Sequence, residues 1–359
     1  MVLSGGGARG AYEVGVLKYI FEEFGKREGT APRFDLICGT SAGAINGCFL
    51  ATNSEKTDYD IERLADLWCD LTIKPWLQVR LRHLPYLLKG FLFKATSKDR
   101  KMTSAPSGGG RMGGLLNTQV IDTVTCREIL QEKIRQNLES GRLDALTVST
   151  TEVSSGKTVC FVQSSYPIPE WTRDPRRIAV ETEIDHRHSL ASASIPLLFP
   201  AVDLDGVYYA DGSLRQPTPL SPALRLGAQK VLVIGLSSSR SRSAHEQPER
   251  GVYPSLGFLL GKLLNAVLLD PVHYDLQVLE RINQILEHGK KVYGEGFEET
   301  LNEAVVPLRG GAYQVIEDLL IEPSEDIGRL ASEIAGSLTT RDWGKSPVAR
   351  LFRRFVVGG

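Results

Sequence analysis

Short apolar runs alternate along this chain with segments in which apolar residues recur at a helical period. Strand-like runs lie at residues 1–4, 35–38, 145–151, 158–162, 207–210, 230–235 and 314–321. Helical periodicity predicts helices at 11–24, 42–51, 60–71, 117–138, 188–195, 221–226, 276–286 and 324–334. Strands that alternate with helices in this way favour an α/β fold with a mostly parallel central sheet and helices on both faces.

One stretch, from Asp35 to Gly47, combines an apolar strand, a tight turn and a helix rich in small residues. Gly39, Ser41 and Gly43 form the Gly-x-Ser-x-Gly pattern of the nucleophile elbow of serine hydrolases. The residues two positions either side of such a turn pack against each other, so only glycine fits there. The following helix directs its N-terminal amides towards the serine oxygen, which favours negative charge at that point. We therefore predict that Ser41 is a nucleophile.

A glycine-rich loop separates the first strand from the first helix and offers backbone amides as an anion site. Its sequence fits an oxyanion hole and also the dinucleotide fingerprint Gly-x-Gly-x-x-Gly. The fingerprint requires an acidic residue at a strand end about 20 positions on, and Glu28 lies instead in a polar linker. The oxyanion interpretation is therefore favoured over nucleotide binding or a bare tight turn, and its candidate residues are Gly5, Gly6, Gly7, Arg9 and Gly10. For Arg9, orienting the loop, attracting a phosphate and forming a structural ion pair stay open.

A serine nucleophile needs a base. The chain has six histidines, which are His83, His186, His188, His245, His273 and His288. None of those after residue 211 lies at a clear strand-end turn, where an α/β-hydrolase places its histidine. Asp211 follows the strand 207–210 in a turn that Gly212 permits, although Asp-Gly is also a common plain turn pair. We favour a two-residue Ser41–Asp211 pair, and we expect burial to raise the pKa of Asp211 because a free aspartate, with a pKa of about 3.9, is a weak base.

Composition limits the classes of binding partner and the cellular compartment that we expect for this protein. A net charge of -1 over 359 residues predicts no nucleic-acid partner. Five cysteines without paired spacing indicate a reducing compartment, so we expect a cytoplasmic protein, with peripheral contact to a membrane as a further possibility. No run of residues reaches the roughly 18 apolar positions of a membrane span.

The segment from Pro75 to Lys101 differs in character because aromatic and aliphatic residues alternate there with Lys and Arg, almost without acids. A basic amphipathic segment suits an anionic membrane surface or the entrance for an acyl chain. An inserted helical hairpin with a solvated charged rim is the alternative. The glycine-rich connection at 104–114 is a predicted hinge.

Four motifs together resemble the patatin-like phospholipase family. They are Gly-Gly-Gly-Ala-Arg-Gly at 5–10, Gly-Thr-Ser-Ala-Gly at 39–43, Ala-Ser-Ala-Ser-Ile-Pro-Leu-Leu-Phe-Pro at 191–200 and Asp-Gly-Ser at 211–213. The resemblance implies a three-layer α/β/α catalytic domain over residues 1–235, and we expect an insertion at 75–114 and a C-terminal helical extension at 236–359 packed on the same domain. One departure is Ser213, where the family usually has Gly or Ala, and its hydroxyl is able to hydrogen-bond Asp211 and lower its pKa.

The same resemblance implies a Ser–Asp dyad without histidine, with Ser41 as nucleophile, Asp211 as base and the loop residues Gly5, Gly6, Gly7 and Arg9 in the oxyanion motif. It implies metal-independent hydrolysis of acyl esters of lipids, with no cofactor and with a phospholipid or lysophospholipid as substrate. Two alternatives stay open. The same site permits transfer of the acyl group to an acceptor other than water, and a catalytically silent lipid-binding module would keep the fold without turnover.

Overall fold

The structure is a computed structural model, which describes residues 1–29, 32–76, 114, 116–169, 171, 176–196, 198–238, 272–309 and 311–338. Its described strands are β1 (Val2–Leu3), β2 (Leu36–Thr40), β3 (Ala145–Glu152), β4 (Thr158–Ser164), β5 (Arg177–Glu181), β6 (Val202–Leu204), β7 (Val207–Asp211), β8 (Lys230–Ile234) and β9 (Glu317–Ile321). They form one sheet in the order β5-β4-β3-β2-β1-β8-β9, and β7 pairs with both β3 and β6. Among the described strands, five of the eight pairs are parallel.

The described helices begin and end as follows: α1 (Gly10–Tyr19), which continues as a π-helical turn (Ile20–Phe24), α2 (Gly25–Glu28), α3 (Ala42–Thr52), α4 (Ile61–Asp70), α5 (Ile73–Trp76), α6 (Gln119–Glu128), α7 (Gln131–Glu139), α8 (His186–Ser192), α9 (Leu220–Arg225), α10 (Val272–Tyr293), α11 (Phe297–Arg309) and α12 (Ile327–Ser337). Two short 3₁₀ helices lie at Gly7–Arg9 and Gly212–Leu214. No helix in the described ranges is both long enough and apolar enough to cross a membrane.

Helices cover both faces of the sheet. On one face, Val14 and Leu17 of α1 pack with Leu3 of β1 and with side chains of α3, α7 and α8 in one buried cluster. On the other face, Leu220 of α9 and Leu279 of α10 pack against β1, β2 and β8. The predicted three-layer α/β/α fold with a mostly parallel sheet is therefore confirmed.

The C-terminal part contributes to the sheet as well as to the helical layers. β9 pairs in parallel with β8 over its whole length, as in the register Lys230 with Glu317. Leu279 of helix α10 packs in the buried cluster on the second face of the sheet. Residues after 236 therefore contribute strand β9 as well as helices to the fold. Most of the predicted insertion 75–114 lies outside the described residues. The same holds for residues 255–269, whose sequence is mostly apolar, and for residues 350–356, whose sequence is basic and apolar.

Several predicted element bounds are wrong. The single helix predicted at 117–138 is two helices, because Ile129 and Leu130 both have extended backbone. This break buries the Ile129 side chain, and it lets the Leu130 amide donate to Thr52 Oγ1 at 3.3 Å. Strands β5 and β6 and helix α11 were not expected from the pattern.

The meeting of β2 and β7 positions the candidate site. β2 pairs in parallel with β3 from Leu36 opposite Ala145 to Thr40 opposite Ser149. β7 then takes the same edge of β3 in the antiparallel direction, with Asp211 opposite Thr150. The two strands therefore point at each other end to end, and the residue after Thr40 is Ser41.

Candidate active site

Ser41 lies at the apex of a sharp turn between β2 and α3. Its φ of 53° and ψ of -121° are unusual for a residue with a side chain, and such strain commonly marks functional sites. The turn is held by its amide, which donates to Ser192 Oγ at 2.8 Å, while Ser192 Oγ donates to the carbonyl of Ser149 at 2.6 Å. These bonds fix the turn to α8 and β3 together.

Close backbone approach explains the glycines around this turn. A Cβ at Gly39 would lie 2.4 Å from the carbonyl oxygen of Gly43, and a Cβ at Gly43 would lie 2.4 Å from that of Leu3. At the other strand end, a Cβ at Gly212 would lie 2.1 Å from the carbonyl oxygen of Ser149. Strand and helix backbones touch at these points, so no larger residue fits without a shift.

The structure brings Ser41 and Asp211 together, although 170 positions separate them in the chain. Ser41 Oγ donates to Asp211 Oδ2 at 2.7 Å, and both residues are buried. The other oxygen, Oδ1, accepts from the backbone amide of Ser213 at 2.7 Å. The Asp211 amide donates to the Ser194 carbonyl at 2.9 Å, so the backbone of this residue is held as well as its carboxylate.

The environment changes the basicity of this carboxylate. Burial raises the pKa of Asp211 from its ordinary 3.8 to about 6, while the hydrogen bonds from Ser41 and Ser213 act against the rise. A base is most effective when its pKa lies near the working pH. Asp211 in this setting is a better proton acceptor than a solvated aspartate.

The glycine loop lies beside the serine. A Cβ at Gly5 would lie 3.1 Å from Ser41 Cβ, and the Gly5 amide itself donates to the Pro217 carbonyl at 2.7 Å. Within the described part of the chain, the amides of Gly6 and Gly7 have no hydrogen-bond acceptor. Gly7 has a φ of 58°, which suits glycine. Two free backbone donors therefore follow directly after Gly5, which lies against Ser41, and an oxyanion hole requires such donors.

Arg9 faces the C-terminal part of the chain. Its Nη2 atom would lie 2.7 Å from a Cβ placed at Gly328, and Asp326 Oδ1 would lie 3.0 Å from the same point. Burial lowers the pKa of Arg9, and the charge of Asp326 opposes this. Asp326 also caps α12 by accepting from the Gly328 amide at 2.7 Å. Of the three interpretations of Arg9, the geometry favours pairing with an acidic side chain.

The histidines lie elsewhere. Of the four in the described ranges, none hydrogen-bonds Ser41 or Asp211; His83 and His245 lie outside those ranges. His188 completes a capping box at the start of α8, in which its Nδ1 accepts from the Asp185 amide at 3.1 Å. His273 pairs with Glu322 at 2.9 Å. No group of His, Cys, Asp or Glu side chains in the described residues is arranged to hold a metal ion.

Residues 1–224, well over half of the chain, match the family model described as patatin-like phospholipase. The chain belongs to the patatin-like phospholipase family. A cGAMP-activated phospholipase from Pseudomonas aeruginosa (strain BWHPSA011 / Pa011) is 26% identical over 224 residues, which are 61% of this chain and 53% of that protein. This chain therefore spans about half the length of that relative. VipD from Legionella pneumophila is a structural neighbour with a TM-score of 0.37 and 16% identity, over 99% of this chain and 64% of VipD.

Membership of the patatin-like phospholipase family supports a lipid-hydrolase activity. In this patatin-like chain, sequence reasoning missed the supporting serines. Ser192 and Ser194 were part of the motif at 191–200, but no role was predicted for them. Their hydroxyl and carbonyl hold the amides of Ser41 and Asp211, respectively. The small residues of that motif were the available signal, since small side chains allow α8 to approach both strand ends.

Proposed function

We propose that this patatin-like phospholipase is a lipid acyl hydrolase that works through an acyl-Ser41 intermediate. The observation that carries the proposal is the 2.7 Å hydrogen bond from Ser41 Oγ to a fully buried Asp211. A hydroxyl that already donates to a base of raised pKa is ready to lose its proton on attack. The chain spans only about half of the length of its curated relative. The activity of the whole protein is therefore proposed here and is not taken over from that relative.

The reaction has two halves. Ser41 Oγ attacks the ester carbonyl and its proton passes to Asp211, while the amides of Gly6 and Gly7 stabilise the negative oxygen of the tetrahedral intermediate. The carbon–oxygen bond to the leaving alcohol then breaks, and Asp211 returns the proton to that alcohol. Water attacks the acyl-serine in the same way and releases the fatty acid. A single oxyanion donor is typically worth about 3 kcal/mol of transition-state stabilisation.

The proposed substrate is a phospholipid or lysophospholipid, because the family is described as patatin-like phospholipase. The proposed mechanism uses no cofactor and no metal, because the base and the oxyanion donors come from the chain itself. Peripheral contact with an anionic membrane surface in the cytoplasm is the accompanying proposal, and it rests on the basic and apolar sequence from residue 75 to residue 101.

A fluorophosphonate probe and a lipid panel test the reaction. We expect the probe to label the wild-type chain on Ser41, and we expect Ser41→Ala to remove both the label and fatty-acid release. An unlabelled wild-type chain would favour the silent lipid-binding module. Product analysis with and without acceptor lipids separates hydrolysis from acyl transfer, because only transfer yields a new acylated lipid.

Vesicle flotation tests the membrane contact. Charge reversal of Arg80, Arg82, Lys89 and Lys94 is expected to weaken binding to anionic vesicles and to leave binding to neutral vesicles unchanged. Unchanged binding to anionic vesicles would show that this segment is not the contact.

A further inference from the structure

The two helices that leave the candidate site touch at their first residues. Helix α1 begins at Gly10, directly after the glycine loop, and α3 begins at Ala42, directly after Ser41. A Cβ at Gly10 would lie 2.7 Å from Ala42 Cβ and 3.0 Å from the ring of Trp68. The distance between loop and nucleophile therefore depends on how α1 sits against α3 and α4.

A buried asparagine joins these helices. Asn46, one turn into α3, donates through Nδ2 to the Gly10 carbonyl at 3.1 Å and to Glu13 Oε2 at 2.8 Å. Its Oδ1 accepts from the indole nitrogen of Trp68 on α4 at 2.8 Å. The orientation of the amide is thereby fixed, because the indole can only donate and the carbonyl can only accept. One side chain thus connects α1, α3 and α4 behind the loop.

Glu13 is the unusual member of this group. It is fully buried on α1, three residues after Gly10. Burial raises its pKa well above the ordinary value, and the hydrogen bonds from Asn46 and from the Ser4 backbone act against the rise. A neutral carboxylic acid still offers an oxygen to Asn46, and a glutamine would offer the same oxygen. The proposed reaction makes no use of this buried acid.

We propose that Asn46, together with Glu13 and Trp68, positions the glycine loop relative to Ser41, so that the Gly6 and Gly7 amides face the oxyanion. This assignment rests on the proposed acyl hydrolysis and deepens it. All three are positioning residues, because they act through the two helix starts. Since a misplacement of about 1 Å can lower a rate roughly 100-fold, a small shift of α1 should be visible in turnover.

The chain offers a matched control at the other end of α3. Asn137 on α7 is equally buried and donates through Nδ2 to the carbonyls of Ala51 at 2.9 Å and Thr52 at 3.2 Å. It also lies next to a carboxylate, Glu55, at 3.3 Å. An Asn→Asp change at either position removes two buried donors and adds a carboxyl beside an acid, but only Asn46 lies behind the glycine loop.

We would measure kcat and KM on a short-chain ester, together with Tm, for the full chain carrying Asn46→Asp or Asn137→Asp. Both changes are expected to lower Tm. Asn46→Asp is expected to lower kcat roughly 10- to 100-fold with KM within about threefold, whereas Asn137→Asp is expected to leave kcat within about twofold. Equal losses of kcat in the two variants would overturn the proposal.

Three other variants cover the case in which Asn46→Asp does not fold. Trp68→Phe keeps the ring and removes only the indole N–H, and we expect it to lower kcat about threefold to tenfold. Glu13→Leu removes the acceptor for Asn46 and is expected to lower kcat about threefold to tenfold, whereas Glu13→Gln keeps an acceptor and is expected to be less impaired than Glu13→Leu. A Trp68→Phe enzyme with wild-type kcat, or a Glu13→Gln enzyme as impaired as Glu13→Leu, would contradict the assignment.

Hydrogen exchange separates this proposal from the proposed function. If the wild-type chain hydrolyses no ester and takes no fluorophosphonate, amide exchange of residues 5–10 still reports the positioning. Faster exchange there in Asn46→Asp or Trp68→Phe, but not in Asn137→Asp, supports the network even in an inactive protein. Unchanged exchange of residues 5–10 in both Asn46→Asp and Trp68→Phe would overturn the proposal.

Discussion

The nucleophile turn and the glycine loop lie side by side, yet they are held in different ways. At the turn, backbone meets backbone on both sides, and Ser41 is only 3% exposed. In the loop, the space around Gly7 is open, and the amides of Gly6 and Gly7 have no acceptor within the described residues. The turn is set by steric contact, whereas the loop is held by hydrogen bonds at Gly5 and Gly10 and by the attraction between Arg9 and Asp326.

This difference indicates that the nucleophile turn and the glycine loop have different roles in the proposed mechanism. The Ser41–Asp211 pair is preformed, because contacts within the protein itself determine its geometry. Under the proposed mechanism, the free donors of the loop serve a charge that exists only during the reaction, and that charge completes their hydrogen bonds. Anchoring at Gly5 and at Gly10 replaces the contacts that the middle of the loop lacks.

The largest effect should come from removing the charge of the preformed pair. Asp211→Asn is expected to lower kcat by about 10²- to 10⁴-fold, the usual contribution of a general base. The same change should raise the free energy of unfolding at pH 8 by up to roughly 3 kcal/mol, since a pKa raised by burial from 3.8 to about 6 reflects a cost of that size for the buried charge. Urea unfolding beside steady-state kinetics measures both. If Asp211→Asn were both slower and less stable than the wild type, the claim that the buried Asp211 charge lowers stability would be contradicted.

Adding a methyl group at the turn should break its steric frame. Gly43→Ala places a Cβ 2.4 Å from the Leu3 carbonyl oxygen, which is backbone and cannot move aside cheaply. We expect the free energy of unfolding to fall by about 3 kcal/mol or more, as for the more severe overpacking substitutions. Urea unfolding monitored by far-UV circular dichroism provides the value. Wild-type stability would show that strand β1 and helix α3 separate easily.

The pH dependence of kcat/KM sharpens the contrast, because the proposed base Asp211 lies in the turn region and has a pKa of about 6. Activity should fall about tenfold per pH unit below pH 6, where Asp211 becomes protonated. The Ser213 amide donates to Asp211, whereas the Ser213 hydroxyl has no hydrogen-bond partner among the described residues, so Ser213→Ala should leave the acid limb in place. A profile without an acid limb near pH 6 would exclude Asp211 as the base.

The pKa of Asp211 also makes stability depend on pH. Its folded-state value lies above the unfolded one, so its stabilising contribution is complete below pH 3.8 and is lost as the pH rises through about 6. Asp211→Asn should flatten this part of the curve of unfolding free energy against pH. Parallel curves for the two proteins between pH 4 and pH 6 would contradict the assignment.

The smallest effect on stability is expected in the open loop. Gly7→Ala meets no neighbour, so only its φ of 58° opposes the change, at about 1 kcal/mol. The Cβ nevertheless changes how the loop amides point, and we expect kcat to fall more than stability suggests. Comparison with Gly43→Ala in the same urea series measures the difference. A loss of stability at residue 7 as large as at residue 43 would remove the distinction between the two regions.

Local rules explain what the sequence reveals about the site. Gly39, Ser41 and Gly43 are recognisable because a strand-to-helix turn leaves room for nothing larger, and Asp211 because it ends a strand at a glycine. The split of the helix predicted at 117–138 was not predictable, because the break places Ile129 in the core and the Leu130 amide against the distant Thr52, which no local pattern records.

Contacts between elements that lie far apart in the chain could not be predicted from the hydrophobic pattern either. Asp326 meets Arg9 only because β9 joins the sheet beside β8 and carries α12 back to the glycine loop. The role of Ser192 depends on where α8 lies in space, which no local periodicity records. Short or irregular strands such as β6, with three residues, carry too little pattern to be recognised.

The end-to-end meeting of β2 and β7 has a consequence for the protein during its synthesis. The ribosome produces Ser41 170 residues before Asp211, a delay of roughly 10–30 seconds at ordinary elongation rates. Under the proposed mechanism, the nascent polypeptide contains the attacking hydroxyl without its proton acceptor throughout that interval. Translation of the β7 segment would then complete the catalytic pair, and a truncated product that stops before β7 would lack the proposed hydrolase activity.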